Sequence, residues 1–79
     1  LRFKEADLSS YTYQLFKGGI KEMAKKVTEE AGEVSIAAVT NDGRVIDETA
    51  DLIYHLLVTL RKLKLSFSDV LDELNVRSK

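Results

Sequence analysis

The sequence predicts an all-α protein: a small helical bundle with two long central helices, completed by homodimerisation. Three observations predict it. Proline is absent, only four of 79 residues are glycine, and runs of Leu, Ala, Lys and Glu dominate, all of which favours helix. Two long stretches carry apolar residues at three-and-four spacing. The second of them is apolar almost all round, the mark of a buried helix, and a chain this short cannot cover such a helix alone.

The elements follow in order. Leu1 to Leu8 is weakly specified. Ser9 or Ser10 suits an N-cap for a short helix through about Lys17, which Gly18-Gly19 can end. A long helix is expected from about Ile20 to Thr40, with Ile20, Met23, Ala24, Val27, Ala31, Val34 and Ala38 as its apolar stripe. Asn41-Asp42-Gly43 reads as a turn. A third helix is expected from about Val45 to Leu63. Ile46, Ala50, Ile53, Leu57 and Leu60 form one stripe, while Leu52, Leu56, Val58 and Leu63 lie well off it. That pattern places the third helix at the centre, packed on several sides. Ser66 caps a last helix, with Asp69 in the capping-box position and Phe67, Val70, Leu71 and Leu74 on one apolar face.

Composition bounds the function classes. The whole chain, 1–79, reads as a single domain. A domain of this size buries only about 60% of the surface its unfolded chain exposes. With no cysteine, disulfides and zinc–thiolate sites are excluded, which leaves a partner chain, an oxygen-bound metal or close helix packing to stabilise it. A net charge of −1 gives no basic field for nucleic acid. No apolar run reaches the length of a membrane span and no signal peptide is visible, so the expected location is the cytoplasm. The first residue is Leu1, not Met, which reads as a trimmed end or a piece of a longer polypeptide.

Two acidic pairs carry the candidate chemistry. Glu30 and Glu33 sit three apart on the second predicted helix, and Glu48 and Asp51 sit three apart on the third. Residues at i and i+3 share a face. Glu48, Asp51 and His55 cluster on one side of a helix that reads as buried, where carboxylates are costly unless paired or bound to metal. Antiparallel neighbours would bring the pairs face to face, and four hard oxygen donors suit Mg²⁺ or Mn²⁺. Glutamates at this spacing are also common on solvated helices; two pairs on consecutive helices form the stronger pattern. Lys26 can pair with Glu30 at i, i+4 or reach a substrate phosphate. His55 on its own reads more readily as a hydrogen-bonded core residue than as a ligand, and Tyr54 as core packing.

Glu29-Glu30-x-x-Glu33 followed by Glu48-x-x-Asp51 resembles the metal motif of the all-alpha nucleotide pyrophosphohydrolases, the MazG-like superfamily. Ser10-Tyr11-Thr12, Lys26-Val27-x-Glu29-Glu30-Ala31, Ala37-Ala38 and Asp51-Leu52-Ile53-Tyr54-His55-Leu56-Leu57-Val58 are similar to the phosphoribosyl-ATP pyrophosphohydrolase family. The likeness covers roughly Ser10 to Leu74. The acidic motif marks only the superfamily; the Tyr-His-Leu-Leu-Val run is the more specific part. Thr28 departs from the glycine common in the family before the paired glutamates. Leu1 to Asp7 is short for the family's N-terminal helix, which suggests trimming, or descent from a bifunctional protein with a phosphoribosyl-AMP cyclohydrolase domain in front.

The resemblance implies hydrolysis of phosphoribosyl-ATP to phosphoribosyl-AMP and pyrophosphate in histidine biosynthesis. It implies Mg²⁺, or Mn²⁺ in its place, held by Glu30, Glu33, Glu48 and Asp51. Glu29, or another carboxylate of the set such as Glu30, is expected to take the proton from water. Lys26, Tyr54 and His55 are the expected contacts to substrate or its surroundings. Two rival readings are a house-cleaning nucleoside triphosphate pyrophosphohydrolase and a non-catalytic helical dimerisation module whose carboxylates only make salt bridges.

Overall fold

The computed structural model describes residues 5–78 of the chain, and their side chains from residue 10 onward. Leu1 to Lys4, part of the weakly specified segment, lie outside the described residues, and so does the side chain of the candidate cap Ser9. Three helices follow one another: α1 Glu5–Thr40, α2 Val45–Lys62 and α3 Phe67–Arg77, with no strand among the described residues. The all-helical expectation holds. Among the described residues no helix is long and apolar enough to cross a membrane.

The first two predicted helices both form and meet at a break inside α1. Gly19 sits at φ 85, ψ 178 inside α1, a conformation open to glycine and costly for other residues. The helix begins ahead of Ser9 and Ser10, at Glu5, so neither serine starts it. The kink lets both arms of α1 reach α2. Leu15 from the first arm and Met23 from the second meet Val58 of α2, with Tyr11, Phe16 and Tyr54 packed against this cluster.

Asn41 ends α1 with φ 52 and donates its N–H to the Ala37 carbonyl at 3.0 Å. The turn reverses the chain, and α2 packs along α1. At the far end Lys64 takes φ 62, with its N–H on the Arg61 carbonyl and the Leu65 N–H on the Leu60 carbonyl. That pair of bonds is a Schellman cap carried by lysine where glycine is usual. Ser66 caps α3 as expected: its hydroxyl accepts from Ser68 N–H at 3.0 Å, and the Asp69 carboxylate accepts from Ser66 N–H at 3.1 Å.

α2 is not enclosed on several sides within the chain. Its buried residues are Glu48, Asp51, His55 and Val58, a 3-4-3 stripe facing α1. The apolar stripe points outward, with Ile46 80% exposed and Ile53 and Leu57 also exposed. The second arm of α1 is rotated in the same sense. Met23 and Ala37 are buried and Glu30 half-buried, while Ile20, Ala24, Ala31 and Ala38 are exposed. α3 buries none of its residues, and Phe67, Leu71 and Leu74 are exposed. The physical reason is that α1 offers only one contact face, and what meets it is the acidic side of α2.

Candidate functional site

Three of the four paired acids converge where the second arm of α1 lies along the start of α2. One carboxylate oxygen each from Glu30, Glu33 and Glu48 lies within 4.8 Å of the other two. Donors around one Mg²⁺ at about 2.0–2.1 Å stand at most about 4.2 Å apart, so small side-chain rotations suffice to bring these three onto a common ion. Two oxygens at the site, Glu30 Oε2 and Glu48 Oε2, are buried without a hydrogen-bond partner. Buried anionic oxygens left unpaired are costly, and a hard divalent cation is the chemical partner that three such donors fit.

The electrostatics express the crowding. The Glu33 carboxyl is pushed up to about 7, first by its hydrogen bonds with Glu48 and Glu30 and then by the charge on Glu30. Glu48 is held below the usual carboxylate range, first by the hydrogen bond from Glu33 and then by that from Arg44. Glu33 and Glu48 thus share a proton that rests on Glu33, the behaviour of like charges forced together, while Glu30 Oε2 and Glu48 Oε2 stay outside these hydrogen bonds. Arg44 Nη2 donates to Glu48 Oε1 at 2.7 Å. The Asp42 carboxylate accepts the Arg44 backbone N–H at 2.9 Å, which fixes the turn before α2. A cleft of about 270 Å³ opens here, lined by Glu33, Ile36, Ala37, Asp42, Arg44 and Glu48.

The other expected residues lie around this centre. Asp51 is buried one helical turn beyond Glu48 and stands outside the three-carboxylate group. Glu29 is exposed and pairs with Lys26 at 3.7 Å, so Lys26 meets Glu29 and not the Glu30 of the simple surface pairing. His55 is 1% exposed. Its Nδ1 stands 2.7 Å from the Asp51 carbonyl, an acceptor only, so Nδ1 carries the proton. In the neutral ring Nε2 then accepts from the Tyr11 hydroxyl, also at 2.7 Å. Tyr54 is half-buried and hydrogen-bonds Thr12 through its hydroxyl. Rings of Tyr11, Tyr54 and His55 pack edge-to-face or tilted, with centroids 5.2–6.1 Å apart. This aromatic knot joins the first arm of α1 to α2 directly behind the acids. The Tyr11 hydroxyl titrates above its ordinary value, mainly through burial and then through Tyr54 and the charges on Glu30 and Asp51.

Sequence reasoning missed Arg44 and Tyr11 as parts of this site. Arg44 reads as an ordinary turn residue; its position four before Glu48 at a helix start was the available signal. Tyr11 is separated from His55 by 44 positions, and no local pattern joins them.

A family model described as phosphoribosyl-ATP pyrophosphohydrolase matches residues 1–78. The phosphoribosyl-ATP pyrophosphatase of Pyrobaculum aerophilum is 49% identical over 79 residues, 99% of this chain and 84% of that protein. Its namesake in Pyrobaculum neutrophilum is 49% identical over 77 residues, 96% of this chain and 82% of that one. The histidine biosynthesis bifunctional protein HisIE of Blochmanniella floridana is 53% identical over 72 residues, 90% of this chain but 34% of that longer protein. No solved structure matches at a significant level.

Proposed function

The chain belongs to the phosphoribosyl-ATP pyrophosphohydrolase family, and we propose that it hydrolyses phosphoribosyl-ATP to phosphoribosyl-AMP and pyrophosphate in histidine biosynthesis, aided by a divalent cation. That makes it a hydrolase acting on a phosphoric anhydride. The observation that carries the metal reading is the pair of buried, unpartnered oxygens on Glu30 and Glu48 beside the Glu33 carboxylate. Glu30, Glu33 and Glu48 would hold Mg²⁺ or Mn²⁺, with Asp51 as a fourth donor one turn away. When bound, such an ion neutralises the polyphosphate charge and lowers the pKa of a nearby water.

This chain's residues do the rest. In the hydrolysis, water oxygen bonds to a phosphorus of the anhydride, the bridging P–O bond breaks, and the water proton passes to a carboxylate. Glu29 lies outside the three-carboxylate group, paired with Lys26, and is our candidate for that proton acceptor. Lys26 is half-buried beside it and offers a point charge to the phosphates. His55 and Tyr54 act by position: they lock the first arm of α1 onto α2 and so fix Glu48 and Asp51 against Glu30.

The functional unit we propose is a homodimer. Ile46, Ile53 and Leu57 of α2 and Leu71 and Leu74 of α3 leave broad apolar faces in water, which a second copy would cover. A fused or partner phosphoribosyl-AMP cyclohydrolase is proposed alongside, supported by the bifunctional relative of which this chain spans about a third. The cytoplasmic location goes with that biosynthetic role.

Pyrophosphate release tests the reading. Phosphoribosyl-ATP should be cleaved with Mg²⁺ or Mn²⁺ and left intact in excess chelator. Faster turnover of deoxynucleoside triphosphates than of phosphoribosyl-ATP would reassign the substrate. Equal rates with and without chelator would remove the metal.

A further inference from the structure

We infer that Arg44 is the displaceable counter-ion of Glu48, which yields that carboxylate to the cation and turns its guanidinium onto the substrate's polyphosphate. The inference rests on the metal-assisted reading above and adds a substrate-binding residue to it.

Glu48 divides its two oxygens. Oε1 accepts from Arg44 Nη2 at 2.7 Å, while Oε2 is buried with no partner. The ion pair therefore occupies one of the two oxygens that Glu48 can offer beside Glu30 and Glu33. The two members of the pair are unequally held. The Glu48 side chain is 7% exposed and the Arg44 side chain 59%. The carboxylate is therefore fixed and the guanidinium is free to swing.

The Arg44 backbone does not need to move with it. Its N–H is bound by the Asp42 carboxylate at 2.9 Å, and its carbonyl accepts the first helical bond of α2, from Glu48 N–H, also at 2.9 Å. Only side-chain torsions change, and an ion pair with one partner this exposed is easily exchanged.

The charge in the cleft gives the motion a direction. Glu33, Asp42 and Glu48 line it with Arg44 as its single cationic residue. Such a cleft repels a polyphosphate. With a divalent cation held by Glu48 the excess negative charge would be offset and Arg44 would be released, its planar fork then matching the phosphate oxygens of the substrate. Arg44 thus holds the acid cluster together without metal and contacts the anion with it.

The test is Mn²⁺ binding without substrate, followed by electron paramagnetic resonance, together with steady-state kinetics on phosphoribosyl-ATP, for wild type, Arg44→Ala and Arg44→Lys. Loss of the competing cation should tighten Mn²⁺ binding by Arg44→Ala up to about fivefold, the scale of a half-exposed ion pair. KM should rise by about tenfold or more while kcat changes less, the signature of a lost charge-assisted substrate contact. Arg44→Lys should return Mn²⁺ affinity towards wild type and recover part of KM. Weaker Mn²⁺ binding in Arg44→Ala would mean that Arg44 only props Glu48 for the metal, and overturns the inference. So would an Arg44→Ala protein equal to wild type in both Mn²⁺ affinity and KM. If wild type itself binds no Mn²⁺, the metal reading fails and this inference with it; the first two failures leave that reading standing.

Discussion

Glu33 sits at the least comfortable point of the molecule, between the Glu30 and Glu48 carboxylates, with its own carboxyl pushed up to about 7 by them. The folded protein therefore binds a proton there that the unfolded chain, at about 4.5, does not. The stabilising share of that proton is complete below about pH 4.5 and is lost as pH rises through about 7. Glu48, lowered by Glu33 and Arg44, acts in the opposite sense and only in the more acid range, where its loss of charge on acidification weakens the fold. Metal-free protein should accordingly lose stability between pH 5 and pH 8, by urea unfolding in chelator, and Glu33→Gln should flatten that limb. A wild-type curve that rises over this range would contradict the shared-proton arrangement.

Behind the acids, His55 is buried and accepts the Tyr11 hydroxyl. Tyr11→Phe leaves a buried ring nitrogen without its partner and should cost about 1–3 kcal/mol of unfolding free energy. The acidic residues of this region were legible in the sequence, because three-residue spacing puts Glu30 with Glu33, and Glu48 with Asp51, on one helix face. Their selection into a group of three was not. The register between α1 and α2 brings Glu48 to Glu30 and Glu33 and leaves Asp51 a turn further along, and register is a tertiary quantity.

At the scale of elements, glycine marks the true discontinuity of α1. Gly19 has open space where a Cβ would stand, so a substitution there meets no clash and is opposed by its backbone angle alone. Gly19→Ala should lower stability by about 1–3 kcal/mol, read from chemical denaturation. Lys64 is the converse case, a left-handed residue that is not glycine; Lys64→Gly should raise stability by about 1 kcal/mol. The Gly18-Gly19 pair and the Ser66 capping box could be read from local chemistry, since each depends on residues within one turn. The orientation of α2 could not. Periodicity located its apolar stripe correctly, but which stripe meets α1 depends on what α1 offers. The second arm of α1 offers Met23, Glu30 and Ala37.

The whole molecule is a two-helix contact with α3 appended, and its core is small: Leu15, Met23, Ala37 and Val58 are its buried hydrophobics among the described residues. A chain with so little interior and such exposed apolar faces on α2 and α3 is expected to complete itself with a second copy. Sedimentation velocity should give a dimer at micromolar concentration, and Ile53→Glu, placed on the outward stripe away from the acids, should shift it to monomer. A wild-type monomer at tens of micromolar would refute the dimer and leave the acid cluster untouched.

The central claim is that carboxylates from α1 and α2 form one cation site in the folded chain. Thermal unfolding across a Mn²⁺ titration tests it most directly, since a ligand bound only by the native state raises stability in proportion to the logarithm of its concentration. Melting should rise by at least about 4 °C once Mn²⁺ exceeds its dissociation constant several-fold, as expected for about 1 kcal/mol in a domain this small, and Glu48→Gln should abolish the rise. A melting temperature that ignores millimolar Mn²⁺ in the wild-type protein would contradict the account.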